Sequence, residues 1–136
     1  MANIIYSTIR IVGEKEFLDS FRNAIETCAE KMKQEGGDYD EVWALDVLKC
    51  MHMNTKTLSV NTTRKVNAGR TWWYSPRFDE KGKNLIIEET CIWCRSELLD
   101  FLMKKSNGGI KAYELLYSGL LPPDYGSIKE RKEQDC

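Results

Sequence analysis

Hydrophobic and polar positions change period several times along the chain, and each change marks a predicted element. Residues 3–12, NIIYSTIRIV, are rich in β-branched side chains and read as a strand with Ile5, Ile9 and Ile11 on one face. Gly13 ends it. From residue 14 to residue 34 the apolar positions Phe17, Leu18, Phe21, Ile25, Cys28, Ala29 and Met32 recur at helical spacing with charges between them. That spacing predicts a long amphipathic helix. EGGDYD, residues 35–40, breaks the pattern, with Gly36 or Gly37 taking the left-handed cap conformation. Asp38 or Asp40 then caps a second helix over residues 40–52, carrying Val42, Trp43, Leu45, Val47 and Leu48. Core packing within that helix is the expectation for Trp43, with a buried interface anchor beside the acidic loop, a role open to Tyr39 as well, as the alternative.

KTLSVNTTRKV, residues 56–66, alternates strictly enough to predict a half-solvated strand. Turn signals at 67–69 and 79–84 bracket the aromatic and basic stretch RTWWYSPRF. Residues 85–93 form another strand, RSELLDFLMKK a short helix stopped by SNGG, and residues 110–117 a last strand. The expected order is strand, long helix, inserted helix, strand, strand, helix, strand. This predicts one α+β domain over residues 1–121 with a ferredoxin-like βαββαβ core, followed by a charged tail over 122–136. The sheet is antiparallel, with two main helices on one face. The other face is open or covered by the inserted helix.

Composition narrows the functional classes. The chain has 136 residues, 42% hydrophobic and 30% charged, with a net charge of −1, which excludes a globally basic nucleic-acid binder. No apolar run reaches the length of a membrane span, and no signal-peptide pattern opens the chain, so a cytoplasmic protein is expected. Five cysteines in such a setting point to reduced thiols rather than a disulfide framework.

The opening MANIIYSTIRIVG, with Asn3 and Gly13 in register, resembles the start of Api92/YubB-type ferredoxin-like domain proteins of phages and plasmids. The ETCIW strand, the short helix after it and the tyrosine-containing last strand are similar to that family's C-terminal half. Ile4-Ile5 stand where the family has Trp-Cys, and Cys94-Arg95 replace its Pro pair. The resemblance implies the fold and a mobile-element origin. It brings no catalytic residues.

Charge is distributed unevenly. Between Lys56 and Lys83 seven basic residues face two acidic ones, whereas between Glu14 and Glu41 nine acids face four bases. Two candidate binding sets follow. Arg64, Lys65, Arg70, Trp72, Trp73, Tyr74 and Arg77 combine stacking surfaces with cations, the pattern that holds unpaired bases or nucleotides. Alternation along a strand places Trp72 and Tyr74 on one face and Trp73 on the other. Glu35, Asp38, Tyr39, Asp40 and Glu41 form an acidic, aromatic loop suited to a basic protein groove. Cys50, His52, Cys91 and Cys94 offer zinc-type or redox ligands, but their spacing is poor for a tetrahedral site. No phosphate loop, nucleophile elbow or HExxH is present. Glu88 and Glu89, adjacent on a strand, point to opposite faces and make no acid/base pair. The expectation is a non-catalytic binding protein without metal or cofactor. Its partner is a host protein or ribonucleoprotein, such as a CRISPR or other defence effector that it inhibits. Nucleic-acid or signal-nucleotide binding through residues 64–78 is the alternative, and a zinc or thiol protein a further one.

Overall fold

The computed structural model describes residues 4–36, 41–54, 70–92 and 96–120. The predicted strand 56–66, Arg64, Lys65, Asp38, Tyr39, Asp40, Trp93, Cys94 and the tail lie outside these residues. In chain order the elements are β1 (Ile4–Gly13), α1 (Lys15–Gln34), β2 (Val42–Trp43), α2 (Ala44–Cys50), β3 (Thr71–Phe78), β4 (Leu85–Ile92), α3 (Leu98–Lys105) and β5 (Ile110–Leu120). The described strands form one sheet in the order β2-β3-β4-β1-β5, with every neighbouring pair antiparallel.

Among the described residues this is an α+β architecture with five strands and three helices, and it departs from the expected four-strand skeleton in two places. Val42 and Trp43 do not begin a helix. They pair with Trp73 and Trp72 as an added edge strand, and α2 starts only at Ala44. Helical spacing is a local signal, and here pairing with the edge of β3 overrides it. The aromatic stretch is also a full strand, β3, which pairs with β4.

One face of the sheet carries the core. Ile9 and Ile11 of β1, Trp73 of β3, and Leu85 and Ile87 of β4 are buried with Leu18, Phe21 and Ile25 of α1. Ala44, Val47 and Leu48 of α2 and Leu98, Leu99 and Leu102 of α3 join the same cluster. All three helices therefore lie on this face, the inserted α2 included. The helix stop signals hold: Gly36 has φ +93° after α1, and Asn107 and Gly108 take positive φ after α3. In the β3–β4 turn Asp79 accepts backbone N–H groups from Lys83 and Asn84, and Gly82 supplies φ +67°.

Gly13 closes β1 against the start of β5. A Cβ there would lie 2.0 Å from the carbonyl oxygen of Gly109, and that oxygen accepts the Glu14 N–H at 2.8 Å. Gly13→Ala should therefore force backbone apart and lose roughly 2 kcal/mol in urea unfolding. A neutral result would show that the β1–β5 junction yields easily.

Candidate binding face

The opposite face of the sheet is built by alternation. Because Ile5, Ser7, Ile9 and Ile11 turn inward, Tyr6, Thr8 and Arg10 turn outward. The registers align these with residues of the other strands in three rows. Trp43, Trp72, Thr90 and Tyr6 form the first, and Tyr74, Glu88, Thr8 and Tyr117 the second. Arg77, Ile86, Arg10 and Glu114 form the third.

Two irregularities set who faces out. A register shift between Tyr74 and Arg77, with Ser75 at φ +52° and Pro76 beside it, adds one residue to β3. Strict alternation would send Arg77 to the side of Trp73, but the bulge returns it to the open face opposite Ile86. Phe78 then turns toward the core, with Lys15 and Arg22 over its ring. A second shift, between Thr8 and Ile9, places Tyr117 outward beside Tyr6, their ring centroids 5.7 Å apart.

Glu88 organises the centre. It is 6% exposed, yet it points to the open face. Tyr6 donates its hydroxyl to Oε1, Thr8 donates to the same oxygen at 2.6 Å, and Arg77 approaches Oε2 at 2.7 Å. Burial alone would raise the Glu88 carboxyl, but the donors Thr8, Tyr6 and Arg77 outweigh it and hold the group below its ordinary value. Burial and the Glu88 carboxylate push the Tyr6 phenol up. Tyr74, hydrogen-bonded to Thr90 at 2.9 Å, is pushed up to about 12 mainly by burial, with Glu41 and Glu88 adding to it. Burial also raises Glu41, just before β2. Both phenols are therefore neutral hydrogen-bonding groups at physiological pH. Arg10 pairs with Glu114 at 2.6 Å. Trp43 and Trp72 stack with centroids 4.5 Å apart and a tilt of 35°, and Trp43 is 39% exposed.

Trp72, Tyr74 and Arg77 of the basic-aromatic set thus share this face, and Arg70 stands exposed just ahead of β3. Trp73 does not share it. Its side chain is wholly buried on the core face, and its indole N–H reaches Glu89 Oε2 at 2.7 Å. Of the acidic set, Glu35 is exposed at the end of α1 and Glu41 lies next to the Trp43 strand. Sequence reasoning missed Tyr6, Thr8, Glu88 and Tyr117 as members of the face. The alternation in residues 4–12 carried the signal for the first two. Trp43 was expected in the core and instead lies outside.

Of the cysteine and histidine candidates, Cys50, His52 and Cys91 are described and form no ligand group. Cys50 ends α2 exposed, His52 follows it with φ +59°, and Cys91 is buried on the core face of β4. Among the described residues no group of three His, Cys, Asp or Glu side chains is placed to hold a metal ion. The Cys91 thiol is pushed up to about 12 by burial and by the Glu89 charge, the reverse of what an attacking thiolate needs. No described helix is long and apolar enough to cross a membrane. No protein-family model, curated protein or solved structure matches the chain.

Proposed function

We propose that the chain is a non-catalytic binding protein whose open sheet face docks on a basic patch of a partner protein. The observation that carries this reading is the stacked Trp43–Trp72 pair, continued by Tyr74, Tyr6 and Tyr117 on a face that no described element covers. Tryptophan, tyrosine and arginine are the residues in which protein interfaces concentrate their energy. Arg77 and Arg10 are each paired with a carboxylate, so these two cations offer a phosphate little free charge. Glu41 beside the tryptophans adds an acidic rim, and the aromatic faces suit a lysine or arginine side chain.

The resemblance of the opening strand supports a phage or plasmid origin. A role in inhibiting a host macromolecule, such as a CRISPR or other defence effector, fits a small module of this kind. With β2 set aside, the neighbour order β3-β4-β1-β5 supports reading the fold as a ferredoxin-like domain with one added edge strand.

The test is a host-extract pull-down with the native chain and with Trp43→Ala/Trp72→Ala, the recovered partner then being titrated against both. The double variant should remain folded and bind at least about 30-fold more weakly, the loss expected of an aromatic anchor. Fluorescence anisotropy against single-stranded RNA and DNA at physiological salt runs beside it. Micromolar nucleic-acid binding that is lost on Arg77→Ala, with no protein partner recovered, would replace this reading with stacking of bases on the same tryptophans.

A further inference from the structure

At one corner of the open face β2 and β3 bring an acid against aromatic rings. Trp43 stands opposite Trp72, and Val42 opposite Trp73. Continued by one residue, that register sets Glu41 opposite Tyr74. Alternation turns Glu41 to the side of Trp43, which is also the side of Trp72 and Tyr74. Beyond burial, the Glu41 charge helps push the Tyr74 phenol up, as a carboxylate on the same side of the sheet should. Two indoles, a phenol ring and an exposed carboxylate therefore share one corner. Arg70 stands at the far end of the β3 row, beyond Trp72, so the end that accepts a cation is the one at Glu41.

We propose that this corner is the seat of an arginine side chain of the partner protein, whose guanidinium lies flat on the exposed indole of Trp43 and donates its N–H fork to Glu41. The seat rests on the reading of the open face as a docking surface and names the residue that the surface takes. Trp43 is 39% exposed, and Trp72 is half-buried against it with ring centroids 4.5 Å apart. The two rings stack on each other, which leaves no slot between them for an ammonium to be enclosed. What stays open is a flat ring face, and a planar cation covers such a face better than a compact one. Indole is also the strongest aromatic partner for a cation. A guanidinium is more weakly hydrated than an ammonium, so it loses less on leaving water, and its fork matches a carboxylate in two parallel hydrogen bonds.

The groups have separate roles. The rings alone would hold any flat group, a nucleobase included. Glu41 supplies the charge complementarity that selects a cation. The Arg77 and Arg10 guanidiniums of the same face are paired with Glu88 and Glu114, so neither competes for Glu41. The Tyr74 hydroxyl is engaged with Thr90 at 2.9 Å, and its ring is what it offers the corner.

The experiment titrates the full-length chain with the peptide acetyl-Gly-Arg-Gly-amide and follows the indole N–H signals by NMR, assigned with Trp43→Phe, Trp72→Phe and Trp73→Phe. Matched peptides carry lysine, or citrulline as the neutral isostere of arginine, and uridine monophosphate is a further probe. The arginine peptide should shift the Trp43 and Trp72 signals saturably at millimolar affinity. The signal of Trp73, buried and bonded to Glu89, should stay in place. The lysine and citrulline peptides should bind at least about fivefold more weakly, as should the arginine peptide to Glu41→Gln, the size of an exposed cation–π or ion-pair contact. No saturable shift, equal binding of the arginine peptide and either matched peptide, an unchanged Glu41→Gln, or tighter binding of the nucleotide would each overturn the proposal. The titration needs no partner, so it fails separately from the pull-down. A partner lost on Trp43→Ala/Trp72→Ala beside an arginine peptide that does not bind keeps the docking reading and overturns the arginine seat.

Discussion

Replacing Trp73 by alanine is expected to destabilise the protein by about 3–5 kcal/mol, the range for deleting a large buried aromatic. Trp72→Ala, one residue away, should lose under about 1 kcal/mol, the effect of a partly exposed site. The contrast comes from strand geometry. Trp73 is fully buried, meets Phe21 edge to face at a centroid distance of 5.2 Å and donates its indole N–H to Glu89. Alanine there leaves a cavity and removes a donor from a carboxylate that is only 1% exposed. Trp72 packs on Trp43 at the other face, where truncation removes contact but buries no unsatisfied group. Trp73→Phe separates the two contributions. It keeps most of the packing against Phe21 and gives up the N–H, for about 1–3 kcal/mol. Urea midpoints on the three variants measure all of this, and equal large losses at positions 72 and 73 would contradict the assignment of their faces.

Glu88→Ala should be the next most damaging change, at about 2–3 kcal/mol, because it strands three donors on two strands at once. Tyr6 and Thr8 lie on β1 and Arg77 on β3, so the Glu88 carboxylate ties β3 to β1 across β4. Arg77→Ala should cost less, since the Arg77 side chain is 48% exposed and already partly solvated, whereas the Glu88 side chain is 8% exposed. The same site gives a pH dependence whose sign follows from its depressed pKa. Unfolding raises the carboxyl to its ordinary value, so the unfolded chain binds the proton more readily. Its stabilisation is complete above that value and is lost as pH falls through the lower, folded one. Asp79, lowered chiefly by the Lys83 backbone N–H, contributes with the same sign. Glu41, raised by burial, works in the opposite direction. Melting temperatures should therefore fall steadily below about pH 4.5, the ordinary glutamate value, and Glu88→Gln should flatten that acid limb. An unchanged limb in Glu88→Gln would mean that other carboxylates carry the acid sensitivity.

The sequence by itself determined the elements whose signal is local. The 3.6-residue spacing of Leu18, Phe21 and Ile25 specifies α1, since only one face of that helix can be apolar. Alternation specifies β1 and the opposed directions of Trp72 and Trp73, and likewise of Glu88 and Glu89. Gly36, Asp79 and Asn107-Gly108 mark turns through backbone preferences that need no distant partner. Tertiary structure alone decided the membership of the open face. Val42 and Trp43 fit a helical stripe as well as a strand, and the choice fell to pairing with Trp73 and Trp72, some thirty residues away in the chain. The outward turn of Arg77 depends on a bulge at Ser75-Pro76, which inverts the parity that alternation alone would assign. Glu88 reads in sequence only as a strand residue turned away from Glu89. It becomes a buried centre because strand order brings Tyr6, Thr8 and Arg77 to it from both neighbouring strands, and no local pattern encodes which strands become neighbours.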